Sequence, residues 1–386
     1  MKESYSYKAV FYAACTALVF FGVVLLSLGT VLPDVSSKFG LDDLASSSIV
    51  LFLPVGVLTG SLVFGPFVDR FGYKLLLAGS SFIVISGLVL LGLASDTFVL
   101  RIAVFMTGFG GGILNGEAIT LVSDISPDDK KDVNQSFLSV FFGLGALIVP
   151  LVMRSLRNIY SYETILAGIA AFILLPSITF LFISFPPPKQ PHGFPFRQGI
   201  DLLKQPVLLL FSFVLFFQSG IEGITSNWTT TYFEKSLLAP TNIALLALTL
   251  MVAGMTAGRF VAGFVVSKVT TCKIIVAASI IMITGIMAII FLPSARLPAM
   301  FLLGLGFAPV FPVILGSIGK LYLALSGTAF SIALFISLLG NTVLNFIMGL
   351  LAKEYSMKML PFLLLISVIL MIFFSLTAIK KSGLKK

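Results

Sequence analysis

The stretch PPPKQPHGFPFRQGIDLLKQP, residues 186–206, decides how the rest of the chain is divided. It is the longest polar, proline-rich connection in the sequence, and its prolines fix φ and lack an N–H, so no helix continues through it. Six long apolar runs precede it, at about 9–31, 45–67, 74–94, 98–122, 134–153 and 163–185. Six more follow, at about 206–232, 241–266, 273–292, 297–320, 325–351 and 358–380. Each is close to the roughly 20 residues with which a helix crosses a hydrocarbon core. The expected organisation is a six-helix bundle over 1–185, a linker over 186–205 and a second six-helix bundle over 206–386.

Composition agrees with that division. The 386 residues are 58% hydrophobic and 11% charged, with a mean hydropathy of +1.09, outside the range of soluble domains. In lipid every peptide group must find its partner internally, and long apolar runs do so as helices, whereas a barrel would show short alternating strands. The fold class expected is therefore an all-α, twelve-span membrane protein. The first run is too long, and lacks a small-residue cleavage site, to be a removed signal peptide.

Several chemistries are disfavoured. Cys15 and Cys272 fall in different runs without metal-ligand spacing and read as buried thiols. His192, the only histidine, lies in the linker, which argues against a His-based metal centre or proton relay. With no nucleophile, base or metal cluster, no catalytic residue, metal or cofactor is expected. The net charge of +9 is spread over loops and fits membrane orientation better than nucleic-acid binding. Placing the N-terminus in the cytoplasm puts most of the 25 Lys and Arg residues on that side, including the linker and the KKSGLKK tail, so both termini are expected inside.

Two six-helix halves joined by a cytoplasmic linker is the layout of carriers built from parallel repeats. A short echo supports a repeat: GSLVFGPFVDR at 60–70 and GRFVAGFVVSK at 258–268 each carry glycines five apart and a basic residue five after the second. The loop after span two, GPFVDRFGYK at 65–74, has Gly65, Asp69, Arg70, Gly72 and Lys74 in the GxxxDRxGxK pattern, with Tyr73 where a basic residue is usual. The sequence thus resembles the major facilitator superfamily. Gly65 would let two helices approach, Asp69 would sit against the positive N-terminal end of a helix in the other half, and Arg70 would pair with Asp124 in a cytoplasmic gate.

The GxG patterns in GFGGGILNGEAITLVSD and GLGFAPVFPVILGS follow no strand, so helix packing is the expected role, and Pro309 and Pro312 should kink span ten. With GTAFSIALFISLLGNTVLNFIMGLLA in span eleven, these segments resemble the fucose/galactose/glucose:proton symporter branch. That resemblance places Gly29 and Asn115 where proton-coupled fucose carriers use an Asp in span one and a Glu in span four. Both carboxylates are missing here. Glu117 lies two residues on, turned roughly 200° around the helix, and either serves coupling or joins Asp124 in the cytoplasmic cluster.

Span seven carries the sharpest signal, FFQSGIEGITSNWTTTYF at 216–233. An ionised group at a bilayer centre costs about 2.5–3.5 kcal/mol on insertion scales, so Glu222 calls for a reason. Gln218 and Ser226 flank it at i−4 and i+4, and Trp228, the only tryptophan, follows. Gly220, Glu222, Trp228 and Tyr232 resemble a G-x-E and W-x-x-x-Y pattern of sugar-carrier-like members of the branch. Ser337, Asn341 and Asn345 form a second stripe in span eleven. Carboxylate and amide groups exchange hydrogen bonds with hydroxyls in both directions, and an aromatic face packs on the CH face of a pyranose. The candidate substrate contacts are Gln218, Glu222, Asn227, Trp228, Asn115, Asn341 and Asn345, with Glu222 and Glu117 as coupling candidates. The competing roles are a carboxylate bonded to its own scaffold for Glu222, an interfacial anchor for Trp228 and interhelical glue for the amides.

These features define the expectation of a secondary carrier in the plasma (inner) membrane, a monomer moving a sugar-like solute with or without H+ or Na+. The alternative on the same scaffold is a drug or lipid exporter, against which GLGALIVPL in span five lacks a Gly-Pro pair. A receptor or membrane-embedded enzyme is the remaining class.

Overall fold

Each apolar run of the sequence is helical in the computed structural model, which describes residues 5–41, 43–190, 196–266 and 268–383, although the helix of the sixth run stops at Phe180 and not at 185. His192 and the last three residues of the basic tail lie outside them. In chain order the helices are α1 (Tyr7–Phe39), α2 (Asp43–Val50), α3 (Phe52–Phe71), α4 (Tyr73–Leu93), α5 (Thr97–Ile125), α6 (Lys131–Leu156), α7 (Tyr162–Phe180), α8 (Phe196–Leu202), α9 (Pro206–Leu237), α10 (Thr241–Val265), α11 (Thr271–Phe291), α12 (Arg296–Phe307), α13 (Val310–Leu321), α14 (Ser326–Glu354) and α15 (Leu360–Ser382). Among the described residues there is no strand, and twelve helical stretches are long and apolar enough to cross a membrane.

The helix ends follow local chemistry. Asp96 caps α5, its Oδ1 accepting from the N–H groups of Phe98 (2.8 Å) and Val99 (2.9 Å). Gly40, at φ 61°, ends α1 in the left-handed conformation that glycine adopts without a Cβ penalty. Span ten breaks as expected: α12 stops at Phe307, Pro309 falls in the gap, and Pro312 sits in the first turn of α13, where a missing N–H costs nothing. Span two is interrupted too, at Leu51 between α2 and α3. The linker, expected to be irregular, carries the short helix α8.

The chain divides into two compact units, Met1–Ser126 with Leu138–Gly199 and Tyr322–Ser331, and Pro127–Phe137 with Ile200–Leu321 and Ile332–Lys386. Relative to the division at the linker, two short segments change sides. The first turns of α6 belong to the second unit and the first turns of α14 to the first.

The same packing device recurs in each unit. In the first, a methyl on Gly56 or Gly60 of α3 would overlap the carbonyls of Phe105 or Phe109, and one on Gly108 or Gly112 of α5 would overlap those of Leu53 or Val57. In the second, Gly254 of α10 and Gly304 of α12 stand in the same relation to Phe301 and Met251. Small residues let backbones meet where lipid offers no hydrophobic drive between helices. The GxG segments therefore serve packing, and the sequence echo extends further than the two quoted fragments, since Gly56, Gly60, Gly65 and Gly254, Gly258, Gly263 share one spacing.

Candidate functional site

In the second unit, the polar stripes of α9 and α14 face each other because glycine leaves no side chain between them. A methyl on Gly223 would overlap Asn341 Oδ1, and one on Gly340 would overlap the carbonyl of Phe216. Asn345 then becomes the hub of a cluster. Its Oδ1 accepts from Asn227 Nδ2 (3.0 Å) and Trp228 Nε1 (3.1 Å), while its Nδ2 donates to the carbonyl (2.9 Å) and Oδ1 (2.8 Å) of Asn341. Ser337 donates to the carbonyl of Leu215 (3.3 Å). Asn227 is exposed and Trp228, Asn341 and Asn345 are half-buried, so these groups are linked without being sealed off.

Glu222 has a partner that the sequence did not suggest. Arg259 of α10 donates from its guanidinium to Glu222 Oε1 at 3.2 Å, with 16% of the arginine side chain and 27% of the glutamate side chain exposed. Among the described residues no Ser, Thr or Asn holds the carboxylate; a counter-charge does. The signal was in the quoted fragment GRFVAGFVVSK, which places a lone arginine inside an apolar run.

Gln218 is fully buried, and its Nε2 donates to the carbonyl of Phe307 (2.8 Å), the last residue of α12 before the break. Its Nε2 thus helps satisfy an interrupted helix, while its Oε1 has no hydrogen-bond partner among the described residues. Tyr232 is likewise buried in packing.

In the first unit, Asn115 and Glu117 lie on α5, only 9% and 0% exposed. Glu117 is not part of the Asp124 cluster, and instead Ser80 of α4 donates to its Oε2 at 3.4 Å while its Oε1 has no hydrogen-bond partner among the described residues.

The loop motif behaves as expected in part. Asp69 caps the N-terminus of α14, accepting from the N–H groups of Gly327 (3.2 Å) and Thr328 (2.9 Å) and from Thr328 Oγ1 (2.7 Å). Gly65 permits that approach, since a methyl there would lie 2.5 Å from the Gly327 carbonyl oxygen. Arg70, however, does not hold Asp124. Its guanidinium is exposed and lies over the ring of Phe71 (5.0 Å), and Lys74 is exposed as well. Asp124 is held by Tyr73 Oη (2.5 Å), Lys189 Nζ (2.7 Å) and Ser326 Oγ (2.8 Å). Tyrosine in place of the usual basic residue thus supplies a neutral donor, and the cation comes from the linker.

Twelve helical stretches of membrane-crossing length among the described residues, with the Arg259–Glu222 pair kept inside two of them, make up a polytopic membrane scaffold. The family model of the Major Facilitator Superfamily matches residues 10–337, and the chain belongs to that superfamily of membrane transporters. It is 24% identical over 314 residues to the glucose/mannose transporter GlcP of Bacillus subtilis (strain 168), covering 76% of each chain. It is 27% identical over 171 residues to the 4-hydroxybenzoate transporter PcaK of Pseudomonas aeruginosa, covering 44% of this chain and 38% of that one. Among solved structures, the E. coli fucose:proton symporter FucP superposes with a TM-score of 0.81 at 16% identity, covering 97% of this chain and 99% of the other. The proton:xylose symporter XylE gives 0.78 at 16%, covering 99% and 96%.

Proposed function

We propose that this transporter carries a monosaccharide by alternating access, with bundles 1–185 and 206–386 as its moving parts, both termini in the cytoplasm, and a monomer in the plasma membrane as the working form. The observation that carries this reading is the cluster on α9, α10 and α14. α9 carries a partly exposed carboxylate held by the arginine of α10 and, further along the same helix, an indole and an amide bonded to the amides of α14, the inventory that hydroxyl groups and a pyranose ring require. The carriage of glucose and mannose by GlcP, the relative matched over most of its length, supports the same class. Glu222, Arg259, Asn227, Trp228, Asn341 and Asn345 are the proposed solute contacts of the second unit, and Asn115 is the separate candidate of the first. For coupling, Glu117 is the proposed proton carrier, because one of its oxygens is buried without a partner. The loop 65–74 with Asp124 is the proposed gate.

One observation favours a second reading. An arginine inside a span, together with the relative PcaK, suits a solute whose carboxylate displaces Glu222 from Arg259. Uptake into proteoliposomes of labelled glucose, mannose, fucose, xylose and 4-hydroxybenzoate, with and without an imposed proton or sodium gradient, separates the two. Saturable uptake of a neutral sugar supports the first reading. Uptake confined to the acid rejects it.

A further inference from the structure

We propose that the linker strap 186–190 is a working part of the transport cycle, and that Lys189 is a positioning residue which grips the start of α14 in place of the motif arginine; the functional half of this claim rests on the chain being a transporter. The strap is fixed at three points inside the first unit. Gln190 N–H donates to the carbonyl of Asp69 at 2.8 Å, one of the last-turn carbonyls of α3 that have no intrahelical partner. The ring of Pro188 lies over Gly72, 3.6 Å from where a Cβ would stand, at a residue whose φ of 77° suits glycine. Lys189 then reaches Asp124 at 2.7 Å and also donates to Ser326 Oγ, the first residue of α14.

Charge explains why the strap must be there. Asp69 and Asp124 both face the N-terminus of α14, the first through Gly327 and Thr328 and the second through Ser326. A helix N-terminus offers only about half a positive charge. Two carboxylates therefore need one more cation, and with Arg70 turned outward onto Phe71 that cation is Lys189. The side chain is 25% exposed and Asp124 only 8%, so the pair is sheltered yet lies near the surface, where it can open. The gripped turns are also the ones at which α14 passes from the first unit, up to Ser331, into the second, from Ile332. Release of residues 322–331 from the rest of the first unit, to which they belong, must break this contact, which makes the strap a brake on that step and not a passive tether.

The test uses the full-length protein in two measurements that do not depend on each other. Hydrogen exchange of the peptide covering 322–331, read without solute, reports the grip; uptake into proteoliposomes, split into KM and maximal rate, reports its use. Lys189→Met should speed exchange of the Gly327 and Thr328 amides by about tenfold, as expected for loss of one hydrogen bond to a charged group. It should change the maximal rate while leaving KM within twofold. Lys189→Arg should restore both, and Arg70→Met, whose guanidinium lies over Phe71 and not against Asp124, should leave the exchange rate within twofold of wild type. The proposal is overturned if Lys189→Met leaves exchange at the wild-type rate, or if Arg70→Met reproduces its effects. Faster exchange with unchanged uptake kinetics overturns the transport role alone. A lack of sugar uptake in every variant, wild type included, counts against the solute assignment and leaves the exchange result standing. Should Lys189→Met not be recovered folded, the exchanged pair Lys189→Asp with Asp124→Lys should regain protected amides at 327 and 328, and failure to do so rejects the pairing.

Discussion

Replacing Glu222 by Gln keeps the shape of the side chain and removes its charge, which leaves Arg259 without its counter-ion. The pair is a single contact of 3.2 Å between side chains 16% and 27% exposed. It therefore lies between the near-zero worth of surface pairs and the 3–5 kcal/mol lost when a deeply buried pair is broken, and a stability loss of about 1–2 kcal/mol follows. That is a modest part of the roughly 5–15 kcal/mol by which folded domains are stable, so folded yield should fall little. Transport should fall far more. If the carboxylate hydrogen-bonds a solute hydroxyl, losing a charged hydrogen bond is worth about 1.5–3 kcal/mol, or about 10- to 150-fold in uptake per folded molecule. The assay is initial uptake in proteoliposomes normalised to folded protein, alongside thermal unfolding in detergent. The deciding arm is the double variant Glu222→Gln with Arg259→Met, which removes the orphaned cation as well. If Glu222 touches solute, the double variant stays inactive. Recovery to within twofold of wild type would mean that the glutamate serves only to neutralise the arginine, and the solute-contact reasoning fails.

Three further outcomes are expected. Asp69→Ala removes three acceptor contacts at the start of α14 and should lower stability by about 1–2 kcal/mol, the range for a lost N-cap, read as a lower midpoint of thermal unfolding. Gly60→Val should cost about 1–3 kcal/mol through overlap with the Phe109 carbonyl, whereas Gly79→Ala, with open space around it, should leave folded yield unchanged. The Asp128 carboxyl, outside the spans, is held below its usual pKa by the hydrogen bond and charge of Lys131, at 2.9 Å. Its contribution is present above the unfolded pKa of about 3.9 and is lost as pH falls through the lower folded value. Asp128→Asn should therefore lower the unfolding midpoint at pH 7 and match wild type in strong acid.

The number and placement of the helices were legible in the sequence because hydrophobic length is a local property, and the kink in span ten because Pro309 acts on its own backbone. Asp69 was legible for a related reason: an acid one turn before a glycine-rich loop has few uses other than a helix N-terminus. The misses share a different cause. Glu222 meets Arg259 across 37 residues and two helices, Gln218 meets Phe307 across 89, and Lys189 meets Ser326 across 137, so each pairing depends on how helices are rotated and not on any spacing within one segment. Arg70 was given to Asp124 by the motif alone, yet the cation that holds Asp124 is a lysine from the proline-rich strap, and Arg70 lies over Phe71.

The glycine contacts bring α3 and α5, and likewise α10 and α12, together main chain to main chain, with no cushion of side chains along the seam. Such a seam has almost no compliance, since polypeptide backbones neither compress nor swap rotamers. Each glued pair should then tilt as a plate, and bending is left to the interruptions at Leu51 and around Pro309, where the hydrogen-bond ladder is already open.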